Sequence, residues 1–176
     1  KFKIEEIIIL FPNGYLSLLD FYLDELNIKM TLSSKKLNLK KMKIHKRIRE
    51  LVLLRLKIIS NEKDLIRRTY SILLLPMHSK IASISLYKIV DQIWFLSGDR
   101  STDFNFYSKR AILASIYSAT ILYWINEDNF EATTKFLDAQ LNKVSKIPKI
   151  KNKIKNISSF LPQTFDLIKT FIPTKQ

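Results

Sequence analysis

Apolar residues recur along this chain at three- and four-residue intervals, the spacing that lines one face of an α-helix. Residues 2–10 read as a short helix ending at Phe11-Pro12-Asn13-Gly14, and residues 15–30 as the next. A long helix is predicted over about 37–59, where Leu37, Ile44, Ile48, Leu51, Val52 and Ile59 share a face. Asn61 is placed to cap a helix that runs to Leu75, where Pro76 interrupts it. Residues 79–97, 103–126 and 129–146 give three more. Only two glycines occur, Gly14 and Gly98, both where a helix should stop. Strand-like alternation is confined to the Lys/Ile run at 149–154, so the fold class is all-α.

The segment from Ala111 to Ile125 carries no charge and is apolar all round, which predicts a helix buried on every face at the centre of a bundle. Tyr117, Tyr123 and Trp124 are among its largest groups. It reads either as a plain core helix or as the wall of an apolar ligand cavity, with Ala114, Ser115, Ser118 and Ala119 leaving room. Candidate lipid contacts are Tyr117 and Trp124 with Ile89, Leu74, Phe165 and Phe171. Beyond Ile147-Pro148, a basic linker (148–157) leads to a final segment, 158–176. There Phe160, Leu161, Phe165, Ile168 and Phe171 recur at helical spacing behind Lys149, Lys151, Lys153 and Lys155. An aromatic face preceded by lysines suits an anionic membrane surface, at about 1 kcal/mol per cation. It equally suits a helix docked on the first 147 residues.

Charge sharpens this picture. Of the net +14, residues 35–57 hold ten Lys or Arg against Glu50 alone, and residues 143–155 hold six Lys and no acid. The rest of the chain is close to neutral, so two basic zones point to two anionic contacts, lipid or nucleic-acid phosphate. The alternative is two solvated helix faces. There is no cysteine, and His45 and His78 are far apart without Glu-x-x-His spacing. No nucleophile elbow, P-loop or dinucleotide fingerprint is present, which leaves no catalytic residue, metal ligand or cofactor to propose. No apolar run reaches the roughly 18 residues of a membrane span. The chain begins at Lys1 rather than Met, as a piece of a longer protein does.

The most distinctive stretch is Gly98 to Arg110. Gly98 can end one helix, and Ser101, Thr102 or Asp103 can cap the next. Phe106 and Tyr107 then diverge by about 100° in the first turn, so one core cannot absorb both. Asp99 and Asp103 read as caps or as partners of Arg100, Lys109 and Arg110.

With Trp94, Gly98-Asp99, Ser101 to Asn105, Phe106-Tyr107 and Lys109-Arg110-Ala111, this stretch closely resembles the signature of the Coq-nine family of ubiquinone-biosynthesis proteins. The likeness extends upstream through Arg68 and Ser71 to Pro76, and downstream through Ile116 to Thr120 and Phe136-Leu137-Asp138, spanning roughly 47–172. The resemblance implies a TetR-regulator-like helical bundle with a C-terminal amphipathic helix. It implies no catalysis, an isoprenoid or phospholipid ligand, and a homodimer. It also implies contact with the di-iron demethoxyubiquinone hydroxylase, through Phe106, Tyr107, Asn105 and Arg110 with Leu56 and Ile93 as neighbours. Phe106 stands where many members have Trp, and Ile93 where some have Met. The expected location is peripheral on a bacterial inner membrane from the cytoplasm, or on the matrix side of the mitochondrial inner membrane. Residues 2–10 are too few for a two-helix DNA-reading head, so the helix-turn-helix is incomplete or missing and no specific nucleic acid is expected. The runner-up reading is a TetR-type ligand-sensing transcriptional regulator.

Overall fold

The computed structural model describes residue 6, residues 9–99 and residues 104–146. The expected amphipathic helix at 158–172 and its lysines lie outside the described residues, as do the caps Ser101 to Asp103. Six α-helices occur among the described residues: α1 (Tyr15–Ser34), α2 (Ile44–Ile58), α3 (Lys63–Leu73), α4 (Ser79–Ser97), α5 (Phe104–Asn126) and α6 (Phe130–Lys146). Single 3-10 turns at Leu39–Lys41, Ser60–Glu62 and Pro76–His78 join the early helices. The chain divides into two units, Lys1–Leu141 and Asn142–Gln176. The fold and the site described below belong to the first.

The helix expected over 37–59 begins only at Ile44, as α2, after the Leu39–Lys41 turn. α1 runs on to Ser34, and the chain is extended at Met42 and Lys43 before α2 begins. Lys35, Lys36, Lys40, Lys41, Lys43 and Lys46 would repel one another if stacked along one continuous helix. The looser path instead offers its carbonyls to Arg47, whose guanidinium donates to Met42 O at 2.8 Å, Lys40 O at 3.2 Å and Ser97 O at 2.9 Å. Asn61 does not cap α3, because it sits inside the Ser60–Glu62 turn.

At the other end of α4, Gly98 adopts φ 84°. The N–H groups of Gly98 and Asp99 donate to the carbonyls of Phe95 and Trp94, which closes a Schellman turn. A Cβ at Gly98 would also come within 3.3 Å of Arg47 Nη1.

The helix at the centre is α4 rather than α5. It packs against α1, α2, α3 and α5. Ser85, Ile89, Ile93 and Ser97 recur every four residues along its buried side. The uncharged segment of α5, 111–125, is not buried all round. Leu113, Ile116, Tyr117, Ile121 and Trp124 face inward, but Ala111, Ser115 and Leu122 form an outward stripe. Ala111 and Ser115 expose little apolar area and Leu122 stands singly, so an uncharged face is tolerated at the surface. α6 is fixed by buried Leu137, by Tyr123 stacked on Phe136 at 4.3 Å, and by a two-pronged Arg49–Asp138 ion pair. Each fully buried aliphatic side chain in this core contributes about 1.5–3 kcal/mol relative to exposure.

Candidate functional site

Helices α1 to α5 leave a cavity of about 220 Å³ between them. Small residues make the room: Ala82, Ser83 and Ser85 of α4 and Ser118 of α5 border it where larger side chains would fill it. Leu23, Leu26, Ile59, Ile66 and Ile121 supply apolar wall. Leu74 and Leu122 also border the space yet are exposed, which marks its mouth. Dry apolar cavities near 150 Å³ accept benzene, so this one takes a substituted ring or a short branched chain. A whole two-chain lipid exceeds it.

The wall is not uniformly apolar. Arg55 enters from α2, although it is only 1% exposed. Its Nη1 donates to Asn27 Oδ1 at 2.9 Å and touches Met30 Sδ at 3.8 Å. Its Nη2 is buried and has no hydrogen-bond partner. No carboxylate pairs with it among the described residues.

Three tyrosines complete the polar part of the wall: Tyr22, Tyr70 and Tyr117. Tyr22 donates to the Glu62 carboxylate. Burial, then that carboxylate, holds the Tyr22 hydroxyl well above its ordinary pKa. Burial likewise raises Tyr70 far above 10, with Tyr117 adding to the effect and Arg55 opposing it.

The cavity wall includes three of the residues expected to contact lipid: Tyr117, Ile89 and Leu74. Trp124 does not border it. That indole is buried elsewhere, with the Lys63 ammonium 5.6 Å from its ring centre. Phe165 and Phe171 lie outside the described residues.

Sequence reasoning missed Arg55, Tyr22 and Tyr70. A signal for Arg55 was present, since position 55 falls on the same helical face as Ile48, Val52 and Ile59, which makes it a cation at a core register.

A second cluster gathers the residues expected at a partner contact, and it corrects several of them. Leu56 and Ile93 are fully buried. Leu56 follows Val52 on the inner face of α2, and Ile93 lies on the four-residue stripe of α4, so neither offers a surface. Arg110 is also buried. It pairs with Asp91 at 2.7 Å and Asp99 at 3.5 Å, and its guanidinium lies 3.3 Å from the Phe106 ring centre. Lys109 bonds Asp99 at 2.7 Å, and Trp94 Nε1 donates to Lys109 O at 3.2 Å. Phe106 is consequently half-buried beneath a cation. Tyr107 sits edge-on to it at 5.2 Å and is 37% exposed. Tyr107 is thus the aromatic of the pair that a partner can reach.

The COQ9 family model matches residues 80–148 of this chain. The chain is 38% identical over 98 residues to the mitochondrial ubiquinone biosynthesis protein COQ9 of Rattus norvegicus, covering 54% of this chain and 31% of the relative. It is 38% identical over 99 residues to the Homo sapiens protein of the same name, with the same coverage. The mitochondrial ubiquinone biosynthesis protein coq9 of Schizosaccharomyces pombe is 29% identical over 157 residues, covering 86% of this chain and 61% of the relative. The chain therefore spans under a third of the length of the mammalian relatives it matches.

The raised tyrosines fix a pH dependence. In the unfolded chain a phenol ionises near pH 10, whereas Tyr22 and Tyr70 stay protonated to higher pH when folded. Their contribution is complete below about pH 10 and is lost as pH rises from there. Urea unfolding midpoints should fall between about pH 9 and pH 11, and Tyr70→Phe should fall less steeply than wild type. Parallel slopes for the two proteins would show that Tyr70 is not shielded.

Proposed function

We propose that this chain, which belongs to the COQ9 family, serves ubiquinone biosynthesis without catalysis, by holding an isoprenoid- or quinone-type lipid and presenting it to the di-iron demethoxyubiquinone hydroxylase. The observation that carries this reading is the cavity of about 220 Å³ among α1 to α5, lined by aliphatic side chains and opening beside exposed Leu74 and Leu122. That volume receives a ring or the end of a prenyl chain, and the rest of a longer lipid emerges at the mouth. A TetR-like arrangement of the helices and a homodimer belong to the same reading. The outward stripe of α5 supports the dimer, because Ala111 and Ser115 are small enough to let a second copy approach and Leu122 offers it an exposed apolar side chain.

The relatives are mitochondrial by name, which favours the matrix side of the inner membrane over a bacterial membrane. No described helix is long and apolar enough to cross a bilayer. The first basic zone supports a peripheral contact. Its three arginines are committed internally, to backbone carbonyls, to Asp138 and Glu50, and to Asn27. Its seven lysines, Lys35, Lys36, Lys40, Lys41, Lys43, Lys46 and Lys57, are all exposed. Six of them crowd the α1–α2 connection, where they can meet anionic headgroups.

Organic extraction of the native protein should release an isoprenoid or phospholipid species. Ser118→Trp, which places an indole in the cavity, should keep the helical fold and reduce the recovered lipid severalfold. Equal recovery from both proteins would remove the cavity from the account.

The partner contact has its own test. Tyr107→Lys changes a half-exposed ring, so folding should be nearly unaffected. Binding to the hydroxylase should weaken by more than about tenfold, the loss expected on removing an aromatic anchor. Unchanged affinity in pull-down titrations would take Tyr107 out of the docking surface.

A further inference from the structure

We propose that the Arg55 guanidinium is the headgroup anchor of the cavity, so that its preferred occupant is a single-chain amphiphile ending in a compact oxygen acceptor, a ring carbonyl or a carboxylate. The proposal rests on the cavity reading above and narrows it from an apolar ligand to a class with a defined polar end.

Four observations converge. Arg55 borders the cavity, yet only 1% of it reaches solvent. Its Nη2 has no hydrogen-bond partner, while Nη1 is held by Asn27. A buried N–H of this kind leaves its desolvation cost uncompensated until an acceptor arrives. The guanidinium stays charged and has donors only, so the missing partner must be an acceptor, and a negative or strongly dipolar one is favoured. No carboxylate pairs with it among the described residues, and Glu62, the nearby acid, is engaged by the Tyr22 hydroxyl. The protein itself supplies no competing anion in that role.

Geometry orients the occupant. The charge is sealed at the inner wall, whereas the exposed residues of the lining are uncharged, Leu74, Leu122 and Ser83, and mark the mouth. An oxygen-bearing head therefore goes in first and the hydrocarbon tail trails outward. The volume of about 220 Å³ limits the head to a single ring or a carboxylate with its first methylenes. Tyr70 and Tyr117 flank the same space, and burial holds the Tyr70 hydroxyl in its protonated form, so the polar part of the wall offers hydroxyls beside the guanidinium. A trapped water would also satisfy Nη2, but it would confer no preference among amphiphiles with different heads.

The test compares three probes of similar tail length on the full chain by calorimetry: a decyl-benzoquinone, laurate, and dodecylbenzene, which has no oxygen. Wild type should bind at least one oxygen-headed probe about tenfold or more tightly than dodecylbenzene. The stronger of the quinone and laurate arms identifies the head as carbonyl or carboxylate. Arg55→Met removes the donors at similar volume and should erase that preference while leaving dodecylbenzene affinity within about twofold. Equal weakening of all three probes, or a preserved preference, would overturn the anchor and leave the cavity reading standing. Failure of wild type to bind any probe would overturn both. Should Arg55→Met not fold, arginine-selective nitrogen NMR of wild type decides the matter. The Arg55 Nη signals should move with the oxygen-headed probe and stay fixed with dodecylbenzene, and movement with both or neither refutes the proposal.

Discussion

A guanidinium buried among aliphatic side chains is the hardest constraint in this fold. Removing such a charge from water costs several kcal/mol even after relaxation. Arg55 recovers part of that through Asn27 and Met30, and its second terminal nitrogen is left without a partner. The surrounding arrangement follows from accommodating it. Small residues on α4 and α5 leave space beside it, tyrosines from three helices bring hydroxyls nearby, and Leu74 and Leu122 stand at the outside.

The stretch around Gly98 works as a clamp that fixes α5 against α4. Gly98 turns the chain, Asp99 receives Lys109 and Arg110, and Arg110 reaches back to Asp91. Because α5 supplies Tyr117, Ser118 and Ile121 to the cavity, the clamp also sets one of its walls. The same anchoring presents Tyr107 at the surface on a rigid base. The most distinctive stretch of the sequence therefore holds this wall in shape and leaves one ring, Tyr107, at the surface.

Much of this was legible in the pattern of apolar positions. The α4 boundaries agree residue for residue with the expected 79–97, and α5 and α6 each begin one residue later than expected. Long periodic segments ended by Gly98 leave little choice. The break between α1 and α2 was expected at 31–36 and lies at 35–43, because Leu37, Leu39 and Met42 keep apolar positions within it, while lysine repulsion and the carbonyl contacts of Arg47 depend on side chains meeting in space. Burial was harder still. Leu56 and Ile93 read as neighbours of a surface patch, and Arg110 as part of it, yet tertiary packing turns all three inward. Trp124 is large and buried but stands away from the cavity, since a void forms where residues are small, and those are the positions least conspicuous in a sequence.

The most direct measurement of the central claim follows isoleucine methyl signals by NMR during titration with a decyl-benzoquinone. Ile59, just past the end of α2, and Ile66, Ile89 and Ile121, from three further helices, line the cavity, while Ile48 and Ile93 are buried away from it. The four lining methyls should shift together along one saturable curve, with Ile48 and Ile93 nearly still. Shifts confined to exposed Ile28 and Ile44, with the lining methyls unmoved, would mean that the amphiphile only coats the surface.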